Sequence, residues 1–377
     1  TCLLKPVSSN LSPQTCLLKP VSSNLSPQTC RLKPVASNLS PQTCRLKPVA
    51  SNLSPQTCRL KPVASHVPPP RINKLLSSFI IPTFNSQVTI ERCLRSAVNS
   101  ELNIEIIIAD DGSSDSTVQL ASQFNDTRIT VIHASTNQGP SQRRNEAIER
   151  AKGDWIVILD SDDTVEPNRL ERLLSLAIDH NLDVITDNQT LIRPDLGTRE
   201  CRNKFDFGKD QLALLDLDTV IQNPGVGILQ PVIRRQFLVE NRLQYETSFR
   251  YGEDYKLLFD IVHAGGKAGF IDECLYNAYV SELGLTSNRV ATYQGIIAVF
   301  QEIRSVLESE NRGDLVKHIN RSITNAKRTV SYGAVMDPLK SGQVGKALKG
   351  LIQHPDFLYQ IPHRCFSQFR RRLLRTK

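Results

Sequence analysis

The chain has 377 residues, with 46 Lys and Arg against 38 Asp and Glu and a formal net charge of +8. The first 65 residues hold eight of the basic side chains and no acid, so the remaining 312 balance at 38 of each. That balance excludes a basic body built to bind nucleic acid, and no run of eighteen apolar residues offers a membrane-spanning helix.

In chain order the first feature is a 14-residue unit, Thr-Cys-(Leu/Arg)-Leu-Lys-Pro-Val-(Ser/Ala)-Ser-Asn-Leu-Ser-Pro-Gln, starting at Thr1, Thr15, Thr29 and Thr43, with a fifth copy from Thr57 broken off after Ser65. Each unit is too short and too Pro-rich for a solenoid, and its few apolar residues cannot offset the entropy of ordering the backbone. Residues 1–65 are therefore expected to be disordered tandem repeats, and their near identity suggests a recent duplication. A basic arm that touches a membrane or nucleic acid is the less favoured reading, since charge runs are usually solvated. Residues 66–71 read as a Pro-rich linker. The repeats also hold five of nine cysteines. The other four, Cys93, Cys201, Cys274 and Cys365, show no paired spacing, as expected in a reducing compartment. The chain opens on Thr and holds one methionine, Met336, as expected of a fragment or of translation from upstream of the natural start.

From Leu75 strands and helices alternate. Leu75 to Pro82 is an apolar strand, Val88 to Val98 has helical spacing, and Ile104 to Ala109 is a β-branched strand running into Asp110-Asp111-Gly112-Ser113. A helix follows from Asp115 or Ser116, where Ser116 and Gln119 could form a capping box. Ile129 to Ile132 is the third strand, Pro140 opens a helix that Gly153 ends, and Trp155 to Leu159 is a fourth strand running into Asp160-Ser161-Asp162-Asp163. The alternation predicts an α/β fold, a parallel sheet covered on both faces, with ligands at the carboxyl ends of its strands. The polar loops fall at those ends. Acids gathered there call for a cation or a donor-rich ligand, and oxygen-only ligands suit Mg2+ or Mn2+. A polar turn capping the next helix would use the same residue types.

Five ordered segments carry a resemblance. They are Phe79-Ile-Ile-Pro-Thr-Phe-Asn85, Ile106-Ile-Ile-Ala-Asp-Asp-Gly-Ser-Ser-Asp-Ser-Thr117, Asn137-Gln-Gly-Pro-Ser-Gln-Arg-Arg-Asn145, Gly153-Asp-Trp-Ile-Val-Ile-Leu-Asp-Ser-Asp-Asp163 and Gly252-Glu-Asp-Tyr255. Over residues 75 to 285 the chain resembles the family 2 glycosyltransferases, whose glycosyltransferase-A fold binds nucleotide-sugars. The resemblance implies that Pro82, Thr83 and Asn85 line the nucleotide pocket, and that Asp111, with Asp110 beside it, meets the base. It sets Arg144 near the nucleotide, Asp160 at the ribose and metal, and Asp162 as a metal ligand, with Mn2+ or Mg2+ as cofactor. Asp254 matches the general base, and could also cap a helix over Tyr255 to His263.

Beyond that motif the likeness thins. Val280 stands where the family often has a basic residue, so the loop over the diphosphate is expected to use another cation, for which Arg289 is available, or to bind less tightly. Gly225 to Pro231 lies on the acceptor side, and the following Arg234 and Arg235 read as a solvated pair rather than an anion site. The histidines of the body, at 133, 180, 263, 318, 354 and 363, show no metal spacing. Residues 286–377 read as a helical extension, ending in a basic amphipathic tail over 364–377 able to touch an anionic membrane.

The expected organisation is thus 1–65 repeats, 66–71 linker, 72–285 catalytic domain and 286–377 extension. The expected function is inverting transfer of a sugar from a nucleotide-sugar, UDP-linked, to a glycan or lipid-linked acceptor, in the cytoplasm or at the inner face of the cell membrane. The alternative is a catalytically inactive nucleotide-sugar-binding module. A sugar nucleotidyltransferase is disfavoured because the first loop lacks a Gly-rich, basic stretch, and an interaction scaffold working through the repeats would need residues 1–65 for function.

Overall fold

The computed structural model describes residues 72–202, 212–280 and 288–358. The repeats, the linker and the basic tail lie outside them.

The first half follows the expected alternation: β1 (Ser77–Thr83), α1 (Ile90–Val98), β2 (Ile104–Asp110), α2 (Thr117–Gln123), β3 (Ile129–His133), α3 (Pro140–Arg150) and β4 (Trp155–Ile158). Every residue of β1 and β4 is buried, as in strands covered on both faces. Successive side chains go to opposite cores. Ile80, Ile107, Ala109, Ile156 and Ile158 face one, while Phe79, Ile81, Ile106, Ile108, Trp155 and Val157 face the other. The capping box is not formed: Ser116 makes no side-chain cap, and the Asp115 carboxylate accepts from the amide and hydroxyl of Thr117 instead.

β5 (Thr164–Val165), α4 (Arg169–Asp179), β6 (Val184–Arg193), β7 (Thr198–Cys201), β8 (Ala213–Leu215), α5 (Leu217–Gln222), β9 (Val232–Arg234), α6 (Arg235–Asn241), α7 (Glu253–His263) and β10 (Ala268–Tyr279) follow. The sheet order is β3-β2-β1-β4-β9-β6-β10-β5, with β7 against β6 and β8 against β10. The parallel expectation holds for β3-β2-β1-β4 and for β6 with β10, but β9 runs antiparallel to both β4 and β6. The result is a mixed sheet. Its register decides the site: Thr83 lies opposite Asp110, and the Leu159 amide donates to Ile80 O, so the loops after β1, β2 and β4 leave one edge together.

Two further expectations change. Cys201 and Cys274 are joined by a disulfide, against the reading of unpaired thiols; β7 and β10 flank β6, and β10 departs from regular register on both sides of Cys274. Arg234 and Arg235 are not a solvated pair: Arg234 bonds Asp183 and Leu182 O and stacks on Trp155, and Arg235 donates to Gly153 O.

The last helices are α8 (Arg289–Ser309), α9 (Gly313–Lys340) and α10 (Val344–Gln353). Val299, Phe300, Ile303 and Leu307 of α8 and Leu315, Ile319 and Ile323 of α9 share one core with Tyr255 and Phe259 of α7. The rings of Tyr255 and Phe300 meet edge-on at 5.3 Å. The extension thus buttresses the helix that carries Asp254. On its other side that helix meets the turn Pro224–Ile228, where a Cβ added at Gly227 would come within 2.8 Å of the Tyr255 Cα.

Candidate active site

The loops after β1 and β2 are knitted by side chains at their shared edge. Asn85 adopts φ +49°, a region asparagine tolerates, and its Oδ1 accepts from the Ser114 amide at 2.9 Å. Its own amide donates to Ser113 Oγ at 2.8 Å. Asp110 is fully buried and accepts from Thr83 Oγ1 at 3.2 Å, from the Gly112 and Ser113 amides at 3.1 and 2.9 Å, and pairs with His133 Nδ1 at 2.9 Å. Burial pushes its pKa up, but the bonds from Ser113, His133 and Thr83 outweigh burial and leave it below the ordinary value.

Asp111 is also buried. It accepts from the Gln138 and Gly139 amides, both at 2.8 Å, and pairs with Arg143 Nε at 3.3 Å. Both carboxylates therefore spend their oxygens on neighbouring protein groups. The role of His133 escapes sequence reasoning, since a lone histidine at a strand end carries no pattern.

The centre of the site is Arg144, which projects from α3 and is 4% exposed. One nitrogen donates to Asp160 Oδ1 at 2.9 Å, and the other donates to Glu253 Oε1 at 3.0 Å and lies 3.6 Å from Asp254 Oδ1. Burial alone would lower its pKa; the charges of Asp254, Asp160 and Glu253 raise it well above the ordinary value, so it stays a cation. Next to it, Asn145 Nδ2 donates to Tyr245 O at 2.7 Å and Asn145 Oδ1 accepts from the Tyr245 amide at 2.8 Å, which secures the segment leading to α7. The Arg-Asn pair thus ties the end of β4 to the start of α7.

Asp254 sits inside the first turn of α7, not at its N-cap. Gly252, with φ +85°, takes that position, and Glu253 already belongs to the helix. Burial, followed in weight by the opposing pull of Arg144 and the repulsion of Glu253 and Asp160, pushes the Asp254 carboxyl up to about 8. Its Oδ1 is buried and makes no hydrogen bond among the described residues. A carboxyl group of that kind can accept a proton near neutral pH.

Asp160 is held on both sides, by Arg144 at Oδ1 and by Gln230 Nε2 at Oδ2, 2.6 Å away. Its amide donates to Tyr276 Oη at 3.2 Å, and that hydroxyl donates to Asp163 Oδ2 at 2.8 Å. Asp163, also taking the Tyr279 amide at 2.7 Å, has a pKa far above the ordinary value through burial and then the charges of Asp162 and Asp160. Asp162 is half-buried and pushed up to about 6 by burial and then by Asp160. Ser161 Oγ lies 2.8 Å from Ser86 Oγ, which joins this turn to the first loop.

The donor set fits a hard divalent ion in one respect. Asp162 and Asp160 are acids whose mutual repulsion a cation would relieve, whereas the protein supplies no third carboxylate or imidazole in a ligating cluster among the described residues. Asp162 would be the principal protein ligand, with Asp160 joining only by exchanging a bond to Gln230 or Arg144.

Gln230 is the residue sequence reasoning missed. It lies 6% exposed just before β9, and its backbone carbonyl accepts from Arg169 at 2.6 Å, itself in a buried ion pair with Asp187 at 2.8 Å. The sequence set Gly225 to Pro231 on the acceptor side but did not single out Gln230, because its pairing crosses 70 residues. Replacing Gln230 with Ala leaves Asp160 Oδ2 unpaired. A hydrogen bond to a charged group contributes about 1.5–3 kcal/mol to the folded state, so the melting temperature should fall by several degrees, and kcat/KM in a donor-hydrolysis assay should fall as well because Asp160 loses one of the two bonds that hold it.

Pro82 and Thr83 thus lie opposite Ala109 and Asp110, Asn85 is bonded to the loop after β2, and Arg144 joins Asp160 to Asp254, with Asp162 two residues beyond Asp160. The loop after Val280 lies outside the described residues over 281–287, while Arg289, the cation expected to serve it, is exposed at the first position of α8.

Residues 78–237 match the model of the family described as Glycosyl transferase family 2. The succinoglycan biosynthesis protein ExoO of Rhizobium meliloti is 28% identical over 312 residues, covering 80% of this chain and 88% of that protein. The UDP-Glc:alpha-D-GlcNAc-diphosphoundecaprenol beta-1,3-glucosyltransferase WfgD of Escherichia coli is 29% identical over 190 residues, 50% of this chain and 70% of its own. Among solved structures, residues 1–349 of S. aureus TarS in complex with UDP-GlcNAc superpose with a TM-score of 0.54 at 18% identity, over 72% of this chain and 89% of that one. The mannosyltransferase PcManGT from Pyrobaculum calidifontis in complex with GDP-Man and Mn2+ gives 0.50 at 16% identity, over 78% and 83%. At such identities the two structures show the fold alone.

Proposed function

Because the chain belongs to the family 2 glycosyltransferases, we propose that it transfers a hexosyl or N-acetylhexosaminyl group from a UDP-sugar to a hydroxyl of a glycan or lipid-linked acceptor, with inversion, in cell-surface polysaccharide synthesis. The observation that carries this reading is the bridge made by Arg144, which holds the strand-end acid Asp160 beside the raised carboxyl of Asp254 at the ligand edge of the sheet.

The base of the nucleotide lies against Pro82, Thr83, Asn85, Asp110 and Asp111, with Asp160 toward the ribose. Asp254 Oδ1 takes the proton of the acceptor hydroxyl while that oxygen attacks the anomeric carbon on the face opposite the diphosphate. One displacement of this kind inverts the configuration. Mn2+ or Mg2+, held by Asp162 with Asp160, would supply neutralisation of the charge that builds on the departing diphosphate. Arg144 adds fixed positive charge at the same edge and keeps Asp254 from retaining its proton at still higher pH.

A panel of nucleotide-sugars with and without Mn2+ tests the reading by thermal shift, since a ligand that binds only the folded state raises the melting temperature. The UDP-sugar donor should stabilise the protein only with the metal, and Asp162→Asn should remove that dependence and lower transfer by about a hundredfold or more. Stabilisation by no donor, or retention of full metal dependence in the variant, would overturn the assignment.

We place the protein at the cytoplasmic face of the membrane, with residues 364–377 touching anionic lipid. The Cys201–Cys274 bond removes the thiol argument for that location, which rests instead on the membrane-lipid acceptor in the name of the E. coli relative and on the basic amphipathic pattern of the tail.

A further inference from the structure

α10 packs on α9 through its smallest residues. Ala347 and Gly350 are buried, and a Cβ added at Gly350 would lie 2.2 Å from the Ala334 carbonyl oxygen, so the two backbones nearly touch. The large apolar side chains face away from that contact. Val344, Leu348 and Ile352, spaced at i, i+4 and i+8, are 56%, 57% and 81% exposed. Lys340, Lys346 and Lys349 are exposed on the same segment, and no acid occurs between Pro338 and Pro355. An apolar stripe flanked only by basic charge is an unusual surface to leave in water.

We propose that this face of α10 lies in the headgroup layer of an anionic bilayer, with Val344, Leu348 and Ile352 in the acyl boundary, Lys349 beside them at lipid phosphates, and Lys340 and Lys346 adding to the positive field of the segment. Charge decides between occupants. A second copy of the face would set lysine against lysine. The basic tail, with Arg364, Arg370, Arg371, Arg372, Arg375 and Lys377 and no acid, would do the same. An anionic lipid surface offers opposite charge to both segments at once. The inference does not depend on the transfer chemistry, because α10 supplies no residue to the Arg144 cluster.

The test is sedimentation of the full chain with phosphatidylcholine vesicles containing about 30% phosphatidylglycerol, against pure phosphatidylcholine. Leu348→Gln with Ile352→Gln should weaken partitioning about tenfold, since two apolar side chains no longer enter the interface. Lys346→Gln with Lys349→Gln should weaken it about fivefold per charge, and only on the anionic vesicles. Donor hydrolysis and melting temperature should stay as in the wild type, because all four side chains are exposed. In a chain ending at residue 363 the remaining vesicle binding should vanish with the apolar double variant, which separates α10 from the tail. Unchanged binding by both double variants would overturn the proposal. So would a dimer that the apolar variant dissociates, which would assign the face to a second copy, or a fall in melting temperature matched by removing the tail, which would assign it to residues 364–377.

Discussion

Asp254→Asn should abolish transfer, lowering kcat by about 10²–10⁴-fold, the range of a positioned general base, while donor binding persists. The variant keeps the volume and the contact with Arg144 but cannot take the acceptor proton. Isothermal titration with the nucleotide-sugar and Mn2+ should therefore give wild-type affinity, and a turnover assay almost none. The pH profile adds a second signature. The carboxyl is pushed up to about 8, so in the free enzyme the competent, deprotonated form grows as pH rises toward that value. Wild-type kcat/KM should climb through neutrality and level off above about pH 8, and any residual activity of the variant should lack that limb. Full turnover by Asp254→Asn would remove this residue from the mechanism.

Arg144→Met should be the most destabilising single change at the site, costing about 3–5 kcal/mol, the range measured when one partner of a buried ion pair is removed. Three acids lose their shared cation: Asp160, Glu253 and Asp254. The sign of its pH dependence follows from linkage. Asp254 has its folded pKa raised above the unfolded value of 3.8, so the folded state holds a proton that the unfolded state has released. Stability contributed by this group therefore falls as pH rises from about 4 to about 8. Losing Arg144 removes the influence that lowers that pKa, so the fall extends to higher pH. Urea unfolding should show a defect larger near pH 8 than near pH 5, without vanishing at the lower value because Asp160 and Glu253 also bond the guanidinium. An equal defect at both pH values would mean that Arg144 does not lower the Asp254 carboxyl.

The two experiments separate chemistry from architecture, and the sequence was legible to different depths for each. The strands β1 to β4, the helices between them and the polar loops at their ends are local, and periodicity with Pro140 located them within a residue or two, although α3 ends at Arg150 on an Ala151 cap and Gly153 instead packs against Ser78. The acids at the ends of β2 and β4, Asp110 and Asp160, were legible for the same reason, since a β-branched run that stops at an acid marks a strand end, whereas Pro82 and Asp162 were singled out by the resemblance. The reversed strand β9 was not. Antiparallel insertion between β4 and β6 depends on which edge is free once the first four strands have paired, and no local pattern encodes that. The Cys201–Cys274 pairing, across 73 residues and a third strand, is hidden in the same way.

The residues' partners lay further out of reach. A resemblance could set Asp111 against a base, but its engagement by the Gln138 and Gly139 amides appears only when the β3–α3 turn is in place. Gln230 had no signal, because its partner Asp160 stands 70 residues away. By itself the sequence determined the order of strands and acids, since both follow from short-range alternation and from the need to end a buried strand in polar residues. Only the tertiary structure shows which acids spend their oxygens on protein partners and which carboxyl is left buried, raised and without a hydrogen bond among the described residues. That depends on burial and on the nearest cation, and Arg144 reaches Glu253 and Asp254 across 109 and 110 residues of chain.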